Sequence, residues 1–108
     1  PEGGGPVGTA PELSAKRELM EETGLICGKL TEIQRMHLSN SVSDELSIIY
    51  LAQELTQGEA EPEETEDLQL IKVSFAEAYQ MVMDGKITDS MSVAAILKVH
   101  IMLSQGLI

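Results

Sequence analysis

Three glutamates near the end of the first predicted helix, Glu18, Glu21 and Glu22, have the side-chain type and spacing to bind a metal ion. At about 100° per residue, their side chains share an arc of roughly 100° on a helix. Like charges at these spacings repel, and the negative end of the helix dipole opposes them further. Local stability therefore does not explain the cluster, whereas a hard divalent cation such as Mg²⁺ does, because it prefers carboxylate and phosphate oxygens. A solvated acidic helix face is the alternative interpretation.

The helix that carries these glutamates is predicted over residues 10–23. Its composition favours a helix, Pro11 is tolerated in the first turn, and Gly24 stands where a left-handed cap ends a helix. Thr9 is a candidate cap for the N-terminus, where its hydroxyl would accept the amide of Glu12. The pattern therefore predicts a helix with its three acids in the last turns.

The rest of the chain alternates strand-like and helix-like patterns. Hydrophobic runs predict strands over 25–38 and 46–55, a polar turn at 39–41 and a short strand over 68–73. The segment 56–67 contains acids and no base, as in a solvated loop. Two further helices are predicted, one from the capping residue Ser74 to Gly85 and one from the capping residue Asp89 to Gly106.

Composition limits the classes of function. The 108 residues include 7 basic and 18 acidic side chains, a formal net charge of −11, which argues against binding to nucleic acid. A hydrophobic content of 43% at this length favours one domain over 1–108. No apolar run approaches the roughly 18 residues of a membrane span, so no membrane partner is expected. The single cysteine, Cys27, favours a reducing compartment, and we expect the cytoplasm.

The segment from the glycine-rich start through the acidic helix closely resembles the Nudix box of the Nudix hydrolases. That motif reads G-x5-E-x7-R-E-U-x-E-E-x-G-U, with U an aliphatic residue. Here Gly3 is followed, after thirteen residues, by RELMEETGL at positions 17–25. The one departure is Thr9, which stands where the family has its first glutamate.

The resemblance extends to the ADP-ribose pyrophosphatase branch over nearly the whole chain. It rests on SDE at 43–45 before a hydrophobic strand, EETEDL at 63–68, Glu-Ala at 77–78 and GKI at 85–87. Where that branch often has Pro-Gly ahead of its Ser-Asp-Glu, this chain has NSV at 40–42.

The resemblance implies an α+β fold, a Nudix-type α/β/α sandwich with a mixed sheet. Nudix domains generally place several strands before the box, so we expect that the chain lacks those N-terminal strands and belongs to a larger enzyme. In the dimeric members the N-terminal part builds the subunit interface. The expected full-length protein is therefore a homodimer.

The resemblance also implies a metal site. Carried over, Glu18 and Glu22 bind the metal, with Glu21 as a further ligand or hydrogen-bond partner. The main-chain carbonyl near Glu2 is an additional contact. The implied ion is Mg²⁺, with Mn²⁺ as the alternative.

Further residues receive catalytic roles from the same resemblance. Arg17 matches the box arginine that orients a glutamate through an ion pair. The acidic loop resembles the one that supplies the catalytic base, which makes Glu64 the first candidate and Glu66 the second. Glu45 is expected to contact the metal or the attacking water.

The implied activity is hydrolysis of the diphosphate linkage of a small nucleoside diphosphate derivative. ADP-ribose is the expected substrate, with AMP and ribose 5-phosphate as products. A Nudix-fold module that binds a nucleotide or a protein without turnover is the alternative. The three glutamates of the cluster favour the enzyme, because a pure binder has no need for such a repulsive set.

Overall fold

The computed structural model describes residues 10–39, 45–58 and 72–108. These residues form three helices and two strands, listed in chain order: α1 (Pro11–Thr23), β1 (Leu25–His37), β2 (Leu46–Gln57), α2 (Phe75–Met83) and α3 (Ser90–Ser104). The two strands pair in a two-stranded antiparallel sheet. Backbone hydrogen bonds also join the residues that flank the strands: the amide of Leu38 donates to the carbonyl of Glu45, and the amide of Gly58 donates to the carbonyl of Gly24.

Helices together with an antiparallel sheet confirm the predicted α+β class. The strand predicted over 46–55 continues to Gln57, two residues further than predicted. The strand predicted over 68–73 falls mostly outside the described residues, and Lys72 and Val73 have no regular structure. Of the turn predicted at 39–41, only Ser39 lies within the described residues.

The first helix starts within one residue of the predicted position. The helix begins at Pro11, and its N-cap residue is Ala10, whose side chain makes no capping hydrogen bond. The carbonyl of Ala10 accepts the amides of Leu13 and Ser14 at 3.1 and 3.2 Å. Thr9 itself lies outside the described residues. Because Pro11 has no amide hydrogen and its ring fixes a helical φ, it suits the first position of the helix, and the cap by Thr9 stays a prediction.

The chain divides into two compact units. The first contains α1, residues 25–32 of β1 and residues 50–57 of β2. Its buried side chains include Leu19 and Ser14, both on α1. Because α1 carries Glu18, Glu21 and Glu22, the first unit contains the acidic cluster.

The second unit contains residues 33–37 of β1, residues 46–49 of β2, and the helices α2 and α3. The helix α2 packs against α3, where the rings of Tyr79 and His100 stack with centroids 3.9 Å apart. Two side-chain contacts connect α3 to the strands: Lys98 Nζ donates to Gln34 Oε1 at 3.3 Å, and Ser47 Oγ donates to Met91 Sδ at 3.5 Å. These contacts place α3 against the paired strands of this unit.

Side-chain caps begin both helices of the second unit, as predicted. Ser74 Oγ accepts the amide of Glu77 at 3.1 Å, and Asp89 Oδ2 accepts the amide of Ser92 at 3.0 Å.

Within the described ranges, no helix has the length and apolar composition needed to cross a membrane. One domain over 1–108 stays a prediction.

Candidate metal and catalytic site

The two predicted metal ligands of α1 lie in the middle of the buried arc of that helix. Ser14 and Leu19 are 8% and 9% exposed and mark the edges of the arc. From helix geometry, Glu18 follows Ser14 by roughly 40° around the axis, Glu22 by roughly 80° and Leu19 by roughly 140°. The side chain of Glu18 is 22% exposed, and Glu22 is also partly buried. The fold therefore leaves both side chains partly buried between two buried residues of the helix.

Arg17 lies beside two of the three glutamates. Its Nη2 is 3.5 Å from Glu18 Oε1, and its Nε is 3.6 Å from Glu21 Oε1. Arg17 and Glu21 are about half exposed, whereas Glu18 is more buried. One guanidinium thus restrains both carboxylates from the exposed edge of the cluster. Glu22 makes polar interactions of its own.

The end of α1 is held by a left-handed glycine. Gly24 has φ 74°, and its amide donates to the carbonyl of Met20 at 2.8 Å. Thr23 Oγ1 donates to the carbonyl of Leu19 at 2.6 Å and accepts the amide of Leu25 at 3.1 Å. Only glycine adopts this φ without strain, so Gly24 ends the helix two residues after Glu22.

The end of β2 is bound to this cap. The carbonyl of Gly24 accepts the amide of Gly58 at 2.7 Å and Gln57 Nε2 at 3.1 Å. A Cβ at Gly58 would stand 2.5 Å from Met20 Cε and 2.9 Å from the Gly24 carbonyl oxygen. Glycine is therefore required at position 58 by close approach. Gly58 lies within the acidic segment 56–67, and the residues after it, 59–71, lie outside the described residues.

Several predicted site residues lie outside the described residues, namely Glu2, Glu64 and Glu66. Glu45 is described. It lies in the second unit, it is exposed, and its carbonyl accepts the amide of Leu38 at 3.2 Å.

The donor chemistry of α1 fits a hard divalent ion. Carboxylate oxygens are the protein ligands that Mg²⁺ prefers, and Mg²⁺ typically uses one or two of them together with waters and substrate phosphates. Glu18 and Glu22 supply two such groups on the buried arc. Within 10–39, 45–58 and 72–108, no three His, Cys, Asp or Glu side chains form a ready-made metal cluster. The two carboxylates of α1 therefore fit the part that protein side chains take in a site completed by water and substrate.

Two buried oxygens in the first unit were missed by the sequence reasoning. Ser14 Oγ and Gln53 Oε1 are buried and have no hydrogen-bond partner among the described residues. The position of Ser14, one turn before Glu18, is readable from the sequence. Its burial is not, because the helix could have turned this face to water.

A small cavity of about 240 Å³ lies beside the acidic helix in the first unit. Its lining is mostly apolar and includes two cationic side chains. The lining residues are Lys16, Arg17, Met20, Leu25, Ile26 and Cys27. Cys27 is a free, partly buried thiol. By helix geometry Met20 lies roughly 120° from Ser14 and away from Glu18, so this cavity opens on a different side of α1 from the carboxylate arc.

Known proteins resemble this chain over most of its length. The sequence profile of the NUDIX domain matches residues 1–91. The ADP-ribose pyrophosphatase of Bacillus subtilis (strain 168) is 34% identical over 91 residues, which cover 82% of this chain and 49% of that protein. The ADP-ribose pyrophosphatase of Mycobacterium tuberculosis (strain ATCC 25618 / H37Rv) is 35% identical over 96 residues, covering 86% of this chain and 46% of that protein.

A third relative is named as an activator of another enzyme rather than as a pyrophosphatase. The methanol dehydrogenase activator of Bacillus methanolicus is 34% identical over 91 residues, covering 82% of this chain and 49% of that protein. The chain thus spans about half the length of the curated relatives it matches.

Among solved structures, an ADP compounds hydrolase matches with a TM-score of 0.78 and 25% identity. The match covers 94% of this chain and 56% of that one. The fold is therefore of the predicted Nudix type. Because the NUDIX profile matches well over half of its residues, the chain belongs to the Nudix family.

Proposed function

We propose that the chain works as part of a Mg²⁺-dependent Nudix pyrophosphatase that hydrolyses the diphosphate linkage of a nucleoside diphosphate sugar. The proposed substrate is ADP-ribose, and the products are AMP and ribose 5-phosphate. The observation that carries the proposal is the partly buried position of Glu18 and Glu22, between the buried residues Ser14 and Leu19 on α1. Two partly buried carboxylates one turn apart on a helix repel each other, and a bound divalent cation relieves that repulsion.

The substrate class draws further support from the relatives. Two of them are named ADP-ribose pyrophosphatases, and a matching solved structure is an ADP compounds hydrolase. A protein with a net charge of −11 also needs local positive charge to hold a diphosphate. A divalent ion supplies it when bound, and it also polarises the phosphoryl oxygens.

The residues of the chain then have separate tasks. Glu18 and Glu22 hold the ion, which is Mg²⁺ with Mn²⁺ as the alternative. Arg17 positions Glu18 and Glu21, because its guanidinium lies within 3.6 Å of both carboxylates. Glu21 serves as a further ligand or as a hydrogen-bond partner. The main-chain carbonyl near Glu2 is proposed as one more ligand.

The base that orients the attacking water is proposed to be Glu64, with Glu66 as the second candidate. Support comes from where the acidic segment starts. Gly58 is hydrogen-bonded to Gly24, which is two residues from Glu22. Six residues of chain reach at most about 20 Å, so Glu64 lies no further than that from Gly58 and can approach the end of α1. Glu45 is proposed to contact the metal or the water.

The other expectations remain part of the proposal. Residues 1–108 are proposed to belong to one Nudix domain, and the full-length enzyme is proposed to be a cytoplasmic homodimer. Its partner is a small nucleoside diphosphate derivative, with no role for nucleic acid or membrane.

The test is hydrolysis of a substrate panel at saturating Mg²⁺, led by ADP-ribose and followed by other nucleoside diphosphate sugars and dinucleoside polyphosphates. Wild type, Glu22→Gln and Glu12→Gln are compared. Glu12 is an exposed acid in the first turn of α1, outside the buried arc, so it is a matched control for the loss of one charge. We expect two monophosphates from wild type and Glu12→Gln, and background rates from Glu22→Gln. Equal rates in all three proteins would contradict the metal assignment.

A second candidate function is a binding module that regulates a partner protein without turnover. It is favoured by one observation, the 34% identity to a methanol dehydrogenase activator. The same panel separates the two candidates. A folded protein that binds nucleotide but releases no monophosphate from any substrate would support the binding module and contradict the enzyme.

A further inference from the structure

The side chain of Gln57, at the end of β2, is hydrogen-bonded to the end of α1. Gln57 Nε2 donates to the carbonyl of Gly24 at 3.1 Å, although the two residues are 33 positions apart in the chain. The same nitrogen lies 3.5 Å from the carbonyl of Gly58, and a side-chain amide has two hydrogens to donate. Gln57 is an exposed residue, whereas Gly24 is buried. The glutamine therefore reaches from the surface to the backbone of a buried residue.

The carbonyl of Gly24 accepts two hydrogen bonds from the end of β2. It accepts the amide of Gly58 at 2.7 Å as well as Gln57 Nε2, and a carbonyl oxygen has two lone pairs. The Gly58 amide alone would already give this carbonyl the partner that buried backbone groups need. The bond from Gln57 is therefore a second restraint, which can be removed without leaving the Gly24 carbonyl unpaired.

The restrained glycine closes the helical turn that carries Glu22. The amide of Gly24 donates to the carbonyl of Met20 at 2.8 Å, and both Glu21 and Glu22 lie between these two residues. Gly24 and Glu22 thus belong to one hydrogen-bonded turn. A displacement of Gly24 would move the backbone of Glu22 with it, so the bond from Gln57 restrains both.

This last turn of α1 needs support from outside the helix. It contains two acids and no base. Acids are unfavourable at the negative end of the helix dipole, and Glu22 also repels Glu18 one turn earlier. Helix ends fray even without such repulsion. The donors at the Gly24 carbonyl oppose these effects, because they bring partial positive charge to the helix end and connect it to β2.

We propose that Gln57 is a positioning residue of the metal site, which holds the last turn of α1 in the conformation in which Glu22 binds a divalent ion. The inference rests on the proposed function, which assigns Glu22 to that ion. It adds a residue outside the Nudix box, which ends here at Leu25. The apparent affinity for an ion scales with the fraction of molecules whose ligands are in place, so a loosened turn weakens binding while every ligand is still present.

The test is the affinity for Mn²⁺ alone, measured by calorimetry and by the electron paramagnetic resonance signal of free Mn²⁺. Wild type is compared with Gln57→Ala, Gln57→Glu and Gln80→Ala. Gln80 is a matched control, because its Nε2 donates to Asp84 Oδ1 at 2.9 Å in the second unit. We expect a Kd about fivefold weaker in Gln57→Ala, the factor that corresponds to the net contribution of one hydrogen bond, and an unchanged Kd in Gln80→Ala.

The substitution Gln57→Glu separates positioning from charge. It keeps the size of the side chain and replaces the donor with an acceptor that cannot bond the Gly24 carbonyl. The added negative charge alone would tighten the binding of a cation, whereas the loss of the hydrogen bond weakens it. We expect an affinity below that of wild type. A tighter Kd in Gln57→Glu, or a wild-type Kd in Gln57→Ala, would overturn the inference.

Amide hydrogen exchange without metal gives an independent readout. The Gly24 amide reports the opening of the last turn of α1. The Gln105 amide, which donates to the carbonyl of Ile101 at 3.0 Å, is the corresponding group at the end of α3. We expect about fivefold faster exchange at Gly24 in Gln57→Ala and no change at Gln105. Equal acceleration at both amides would show a general loss of stability and would overturn the positioning role.

The outcomes distinguish the inference from the proposed function. Wild-type Mn²⁺ affinity in Gln57→Ala, together with its loss in Glu22→Gln, overturns the role of Gln57 and leaves the metal site standing. Absence of Mn²⁺ binding by wild type overturns both.

Discussion

The carbonyl of Gly24 accepts the amide of Gly58 at 2.7 Å, which connects the end of α1 to the end of β2. Gly24 follows Glu22 by two residues, and Gly58 lies in the acidic segment 56–67, six residues before Glu64. One hydrogen bond thus joins the helix that supplies the proposed metal ligands to the point where the segment with the proposed base begins. Gly24 is buried and Gly58 is partly buried, so the bond lies away from bulk water.

The close contact at Gly58 predicts a loss of stability in Gly58→Ala. An added Cβ would stand 2.5 Å from Met20 Cε and 2.9 Å from the Gly24 carbonyl oxygen, and overpacking of this kind costs about 1–3 kcal/mol. Urea denaturation measures the free energy of unfolding. Met20→Ala combined with Gly58→Ala should recover part of the loss, because the flexible side chain is one of the two clashing groups. Additive effects of the two substitutions would contradict the contact.

The cap at Ser74 predicts a specific loss in Ser74→Ala. Ser74 Oγ accepts the amide of Glu77 at 3.1 Å, and the loss of an N-cap costs about 0.5–2 kcal/mol. Ser74→Asp retains an acceptor and adds a negative charge at the positive end of the helix dipole, so it should keep full stability. Thermal unfolding of the three proteins checks this prediction. A Tm for Ser74→Ala equal to that of wild type would mean that the cap adds nothing to the stability of α2.

Divalent metal should stabilise the folded protein. An ion that binds only the folded state at 100 times its Kd adds about 2.7 kcal/mol to the free energy of unfolding. We expect the Tm to rise with Mg²⁺ in wild type and in Glu12→Gln, and to rise much less in Glu18→Gln. Chelation should reverse the rise. The same rise in Glu18→Gln as in wild type would place the ion elsewhere.

Arg17 should affect activity more than stability. Its side chain and that of Glu21 are about half exposed, and pairs of this kind contribute about 0–1 kcal/mol. We therefore expect Arg17→Ala to change the free energy of unfolding by less than about 1 kcal/mol while it lowers kcat/KM for ADP-ribose. Arg17→Lys should restore activity only in part, because an ammonium lacks the planar fork that spans two carboxylates. A kcat/KM that does not change in Arg17→Ala would remove its positioning role.

The two candidate bases can be separated by rate and metal affinity. Glu64→Gln should lower kcat by about 100-fold or more and leave the Mn²⁺ Kd near that of wild type, because general base catalysis contributes about 10²–10⁴-fold. Glu66→Gln is the matched control in the same segment and should change kcat little. The reverse pattern would assign the base to Glu66. An unchanged kcat in both variants would exclude both residues and leave Glu45 as the remaining candidate.

Local chemistry made much of the fold predictable. Gly24 ends α1 with φ 74°, and Ser74 and Asp89 cap α2 and α3, all as predicted. These features depend on residues within four positions of one another, so they can be read along the chain. α1 begins at Pro11, one residue after the predicted start, because the fixed φ of proline suits the first helical position.

The sequence by itself determined the family, through the spacing of the Nudix box, and it placed Glu18 and Glu22 on one side of a helix. Only the tertiary structure decided that this side is buried, that Ser14 Oγ has no partner among the described residues, and that Gly58 touches Met20 and the Gly24 carbonyl. The physical reason is the distance along the chain over which each feature is set. Helix periodicity and caps are set by neighbouring residues, whereas burial and close approach depend on which distant segments pack against them.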